Sequence, residues 1–170
     1  ILEDAIVMSP CAAAAIYHRD IYVSMGGMAE YFFCYYEDVD LGLRFRLLGH
    51  ETIQLAGAKV RHVGSTTAGK NSKFIKYYVS RNRIWTFIRC VPGLLFAACL
   101  PLLVLSIVTR LCLSIFAGDT STKLKAFFDA FRRLFRIWND RKVIQKARKS
   151  TVLQFGSDMT WSVGKLILRS

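Results

Sequence analysis

Tyr35-Tyr36-Glu37-Asp38-Val39-Asp40-Leu41-Gly42-Leu43-Arg44 places three carboxylates within four residues, directly after the aromatic cluster Tyr31, Phe32, Phe33, Tyr35 and Tyr36. Like charges this close repel, and such a cluster is held most easily by a helix N-terminus, a cation or a metal. From Glu37 onward Leu41, Phe45 and Leu48 recur at spacings of four and three, which predicts a helix that Gly49 stops. The aromatics upstream would form an apolar wall able to raise a carboxyl pKa and fit it for general-base work near neutral pH. A plainer reading stands beside this one. Acidic residues are favoured in the first turn of any helix, and Asp40 can pair with Arg44 at i,i+4.

N-terminal to this run, the small apolar residues 5–17 predict buried strand on either side of a turn at Ser9-Pro10. Residues 20–25 predict a short helix with Asp20 as N-cap and Gly26-Gly27 as its stop. On the C-terminal side, residues 52–55 and 59–63 read as two strands around Gly57, and residues 64–73 as a loop. A helix is predicted to resume near Phe74 and to run through Tyr77, Tyr78, Arg81 and Trp85.

Residues 90–109 carry no charge, a run about as long as a bilayer's hydrocarbon is thick. Both flanks are basic, with Arg81, Arg83 and Arg89 before and Lys123, Lys125 and Arg132 after. A single crossing would put these flanks on opposite sides, against the bias of basic residues toward the cytoplasm. A re-entrant or interfacial hairpin, bent near Pro101 and returning through Leu111 to Phe116, is therefore preferred, with a single span as the alternative. Residues 123–149 follow as a basic amphipathic pattern whose natural partner is an anionic membrane surface.

The whole chain fits these parts. Its 170 residues are 53% hydrophobic yet carry a formal charge of +12, a pairing that soluble domains seldom show. No interleaved stacking aromatics, zinc-finger spacing or RRM-type signature accompanies the charge, so nucleic acid is not the expected partner. The five scattered cysteines lack CxxC spacing and point to a reduced compartment. The start has neither Met nor a signal-peptide pattern, and the chain is expected to begin in mid-protein.

One further signal lies in the order of the segments: His18-Arg19-Asp20, Met25-Gly26-Gly27-Met28, the Glu-Asp-Val-Asp-Leu run, Arg44-Phe45-Arg46-Leu47-Leu48-Gly49-His50, then Val60-Arg61-His62-Val63-Gly64-Ser65. Over residues 5–90 this order resembles the second half of family 2 glycosyltransferases of the rhamnosyltransferase-like type. The resemblance implies an α/β fold, a partial GT-A (nucleotide-diphospho-sugar transferase) fold lacking its N-terminal half, followed by an α-helical membrane-associated region. The expected division is residues 1–86 for the catalytic part, 87–118 for the membrane segment and 119–170 for the basic helix and tail.

The resemblance also implies an activity: inverting transfer of a sugar, rhamnose among the candidates, from a nucleotide-diphosphate donor to a glycan or polyprenyl-linked acceptor in cell-envelope polysaccharide synthesis. Asp38 is the matching catalytic base, with Glu37 and Asp40 orienting it, binding acceptor hydroxyls or holding the helix start. Tyr36 and Arg81 match substrate-binding positions, Arg81 as a phosphate ligand or else as a cation facing lipid headgroups. His62 matches a metal-binding histidine, suited to Mn2+ more than to Mg2+, or is an ordinary strand-end histidine. The implied place is the cytoplasmic face of the cell membrane.

The chain also departs from the family. Met28 and Ala29 precede Glu30 where an acidic residue commonly follows the glycines, which leaves acceptor preference open. The nucleotide-binding half and its Asp-x-Asp motif are absent, so the chain alone is not expected to bind donor well. Two other classes remain: a noncatalytic membrane-binding module whose carboxylates only cap a helix, and a nucleic-acid binder using the basic tail.

Overall fold

The periodicity that begins at Glu37 is realised as a helix. In a computed structural model, which describes residues 3–62, 69 and 72–159, this helix is the second of seven. The first, α1, spans Arg19–Ser24 and is followed by Gly26 and Gly27, both at positive φ (73° and 63°). Its N-cap is His18 without a side-chain bond, and Asp20 lies in the first turn rather than at the cap. The second, α2, spans Glu37–Leu47, and the chain leaves it through Gly49 at φ 86°, a left-handed position that favours glycine.

The expected α/β architecture is not present. Among the described residues the only sheet pairs two strands of three residues each, β1 (Ala5–Val7) and β2 (Thr52–Gln54), antiparallel with Ile6 opposite Ile53. Both of these isoleucines are more than half exposed, so the sheet is a surface ribbon and not a core layer. A partial GT-A sheet is thereby excluded for these residues. The physical reason lies in the Ala-rich run. Residues 12–14 form a short 3-10 turn, Ile16 is fully exposed, and the alanines present too little side chain to bury against another layer. Residues 59–62 likewise form no strand, and most of the expected 64–73 loop lies outside the described residues.

The core is helical. Helix α3 (Lys73–Cys90) starts at Ser72, whose hydroxyl accepts from the Ile75 amide at 3.3 Å, and ends where Val91 turns extended before Pro92. Trp85 is fully buried on it, edge-on to Tyr31 and Phe32, with its indole N–H donating to the Ala130 carbonyl at 3.1 Å. Phe32, Ile84, Ile88, Phe127 and Ile137 complete the cluster. The expected 123–149 helix is two helices, α5 (Thr120–Arg132) and α6 (Leu134–Ala147), with Arg133 between them. Their Ala126, Phe127, Ala130 and Ile137 turn inward onto α3, while Phe128, Phe131, Phe135 and Trp138 remain exposed. One apolar stripe thus meets protein, and a second is left for another surface.

Helix α4 (Gly93–Ala117) contains Pro101 but is unbroken, and it ends at Gly118 (φ 66°). The chain therefore does not bend back at Pro101 as expected; its reversal comes at residues 118–119, leading into α5. Pro101 is tolerated inside an apolar helix because neighbouring groups can re-satisfy the carbonyl it frees. Helix α4 is long and apolar enough to cross a membrane, and most of its residues are not covered by the rest of the chain. A short last helix, α7 (Val152–Ser157), begins with a reciprocal capping box between Thr151 and Gln154 and buries Phe155 beside Leu47 and Cys90. The Lys149 and Ser150 amides donate to the Leu47 carbonyl at 2.8 and 3.0 Å, which fastens the tail to the end of α2. Helix α3 runs through the expected boundary at 86/87 and packs against α5 and α6 beyond it.

Candidate active site

The chain enters α2 through Phe33, Tyr35 and Tyr36, all non-glycine residues at positive φ (68°, 63° and 70°). Each such conformation costs on the order of 1–3 kcal/mol and persists only where surroundings enforce it. Asn82, fully buried on α3, does the enforcing: its amide nitrogen donates to the Phe32, Cys34 and Tyr35 carbonyls at 3.0, 2.8 and 2.7 Å. Nothing in a helical Asn-Arg sequence signals this role, and it was not read from the sequence.

Arg81 reinforces the same turn. Its Nη2 donates to the Tyr31 and Phe32 carbonyls (3.3 and 3.0 Å), its Nε to the Asn82 side chain (2.9 Å), and its guanidinium lies 4.2 Å from the Trp85 ring centre. The side chain is buried. The fork expected to grip phosphate is engaged within the protein, where it holds the aromatic turn.

The three carboxylates then separate by environment. Asp40 is fully buried between Arg44 (Nε to Oδ2, 2.8 Å) and Arg89 (Nη1 to Oδ1, 3.3 Å), with the Cys90 thiol 3.5 Å away. Arg44 also donates to the Met25 and Gly27 carbonyls at 3.0 and 2.7 Å, tying α1 to α2. The i,i+4 pairing anticipated for Asp40 is thus formed, and it removes Asp40 from contact with any acceptor. Burial with carboxylate contact pushes the Cys90 thiol pKa well up, which keeps it a thiol.

Asp38 is only partly covered. Its Oδ2 accepts from the Ala12 amide (3.1 Å) and its Oδ1 from the Val39 amide (2.8 Å), bonds that fix its direction. The Ala12 contact requires the 9–12 segment to lie on α2, and Gly42 permits it: a Cβ there would come within 2.4 Å of Ser9 Cβ and 2.5 Å of its Cα. Gly42→Ala is expected to push this segment away at a cost of about 1–3 kcal/mol and to break the Ala12–Asp38 bond. Chemical denaturation measures it, and unchanged stability would contradict the close approach.

Glu37 has its Oε2 shut off from solvent without a hydrogen-bond partner. Burial raises its pKa above the ordinary 4.5, a backbone hydrogen bond partly opposes this, and neighbouring Asp38 adds to the rise. A carboxyl that holds its proton more tightly when folded favours the folded state at low pH and loses that contribution as pH climbs through the folded value. Glu37→Gln is therefore expected to be more stable than wild type at pH 7, with the gap closing toward pH 4.5. Thermal melts across that range check it; a gap that widens on acidification would refute it.

Tyr36 is the N-cap residue of α2, half-buried, and its carbonyl accepts from the Asp40 amide at 2.8 Å. His62 is exposed at the end of a described stretch. Among the described residues no three His, Cys, Asp or Glu side chains converge. Two concavities lie elsewhere: one of about 580 Å³ between α1, α2 and α6, and one of about 650 Å³ between α3, α4 and α6 with a wholly apolar lining. Neither includes Glu37 or Asp38, both of which are partly covered. Comparison with known proteins adds no relative: no family model, curated protein or solved structure matches the chain.

Proposed function

We propose that this chain carries the acceptor-activating carboxylate of an inverting glycosyltransferase that works against a membrane. The observation that carries the proposal is the division of labour among the three carboxylates. Asp40 is neutralised in the interior, Glu37 is shielded, and Asp38 is held by two backbone amides at the mouth of a strained aromatic turn. In the proposed reaction Asp38 takes the proton of an acceptor hydroxyl. That oxygen bonds the anomeric carbon of a nucleotide-diphosphate sugar from the face opposite the leaving group. The bond between the anomeric carbon and the diphosphate oxygen breaks, and the nucleoside diphosphate departs with the electron pair. In this reading the acceptor is a glycan or a polyprenyl-linked sugar and the work is done beside the cytoplasmic leaflet; the exposed apolar residues of α4, α5 and α6 support a membrane neighbour.

The second reading, a noncatalytic membrane module, is favoured by one observation: both Asp38 oxygens already accept backbone amides, as a capping residue's would. Sugar transfer separates the two. The polypeptide that carries this chain, reconstituted in lipid with Mn2+ or Mg2+, is assayed with a panel of nucleotide sugars. Transfer from one of them is expected, and none from any donor supports the module.

A further inference from the structure

The cavity of about 580 Å³ between α1, α2 and α6 is framed by bonds that join its walls. Arg44 on α2 donates to the Met25 carbonyl at the end of α1 (3.0 Å), the Lys149 amide just past α6 donates to the Leu47 carbonyl (2.8 Å), and the Tyr31 hydroxyl donates to Asp140 on α6. A ligand therefore finds the site already formed, with little to reorganise. Met25, Leu47, Val143 and Ile144 make much of the lining apolar. Arg89 lines it from the buried side, 5% exposed, and its Nε and Nη1 make no hydrogen bond. Its ion-pair partner Asp40, at 3.3 Å, is shared with Arg44. Lys149 also lines the cavity and takes part in none of the ion pairs among the described residues. Arg44, Arg89 and Lys149 thus face only Asp40 and Asp140, which leaves one positive charge unbalanced.

We infer that this cavity binds a single carboxylate carried on a short apolar chain, the carboxylate toward Arg89 and Lys149 and the chain against Met25, Leu47, Val143 and Ile144. A concave, mostly apolar space with a few convergent polar groups is the usual form of a small-molecule site. One unbalanced positive charge matches a monoanion, whereas a phosphate monoester or diphosphate would bring excess negative charge into a partly closed space. Burial pushes the Tyr31 hydroxyl pKa up against the pull of Arg89, so this phenol stays neutral and adds no negative charge of its own. A neutral chain of the same length would fill the apolar part and leave Arg89 as it is. Neither Glu37 nor Asp38 lines the cavity, so this binding stands apart from sugar transfer and is measured without it.

The test uses the full chain in maltoside micelles. Calorimetric titrations are run with hexanoate, 1-hexanol and hexylammonium, each corrected by the same titration into empty micelles. Hexanoate is expected to bind, 1-hexanol to bind at least about tenfold more weakly, and hexylammonium not to bind. Arg89 also holds Asp40, so the variants are placed at the rim, where Ala147 and Lys149 are exposed and replacement leaves the core intact. Ala147→Phe fills the space and is expected to abolish binding, Lys149→Gln to weaken it about threefold or more, and Lys125→Gln, at an exposed α5 position outside the cavity, to leave it unchanged. The site is overturned by absence of hexanoate binding, by equal binding of 1-hexanol, or by either rim variant binding at wild-type strength. A loss that Lys125→Gln shares marks general charge attraction and overturns it as well.

Discussion

Asp40→Ala is expected to lower the unfolding free energy by about 3–5 kcal/mol, the usual consequence of removing one partner from a buried ion pair. The Asp40 side chain has no exposure, and those of Arg44 and Arg89 have 7% and 6%. Without the carboxylate, two guanidiniums face each other in the interior. Arg44 retains its bonds to the Met25 and Gly27 carbonyls, but Arg89 is left with the faces of Tyr31 and Phe32. The damage extends beyond the pair, because these contacts join α1, α2 and α3 around the aromatic turn. Denaturant titration in micelles measures the loss. A change below about 1 kcal/mol, the range of exposed pairs, would show that Asp40 is solvated instead.

Several elements were legible because their signals are local. Gly26-Gly27 and Gly49 end helices as read, the α3 pattern through Trp85 is a helix, and the uncharged run becomes α4. The Asp40–Arg44 spacing gave a pair that forms. The capping box at Thr151 and Gln154 is an equally local signal. What failed depended on partners. An apolar stripe specifies that a face will be covered but not by what. Phe127 and Ile137 therefore cover α3, where a membrane surface was expected. Residues 5–17 read as strand from their apolar content, yet strands need neighbours to pair with, and among the described residues only three of β2 supply them. The site was half legible: the carboxylates are visible as a motif, whereas three left-handed aromatic residues held by Asn82 have no sequence signature. The same holds for Arg81, whose fork meets carbonyls forty-nine and fifty residues away.

Asp38→Asn is the change expected to act on chemistry with the least effect on structure. Asn keeps a side-chain oxygen that can still accept from the Ala12 amide, so the fold is expected to survive, while the group that takes the acceptor proton is gone. General-base catalysis contributes about 10²–10⁴-fold, and transfer is expected to fall by that factor. A change in KM with kcat preserved would instead mark Asp38 as a binding group. The decisive measurement is kcat for sugar transfer by the lipid-reconstituted protein, wild type against Asp38→Asn, with circular dichroism matched between the two. The account predicts a loss of at least about a hundredfold with the fold intact, and equal rates would remove Asp38 from the chemistry and leave its carboxylate as a helix cap.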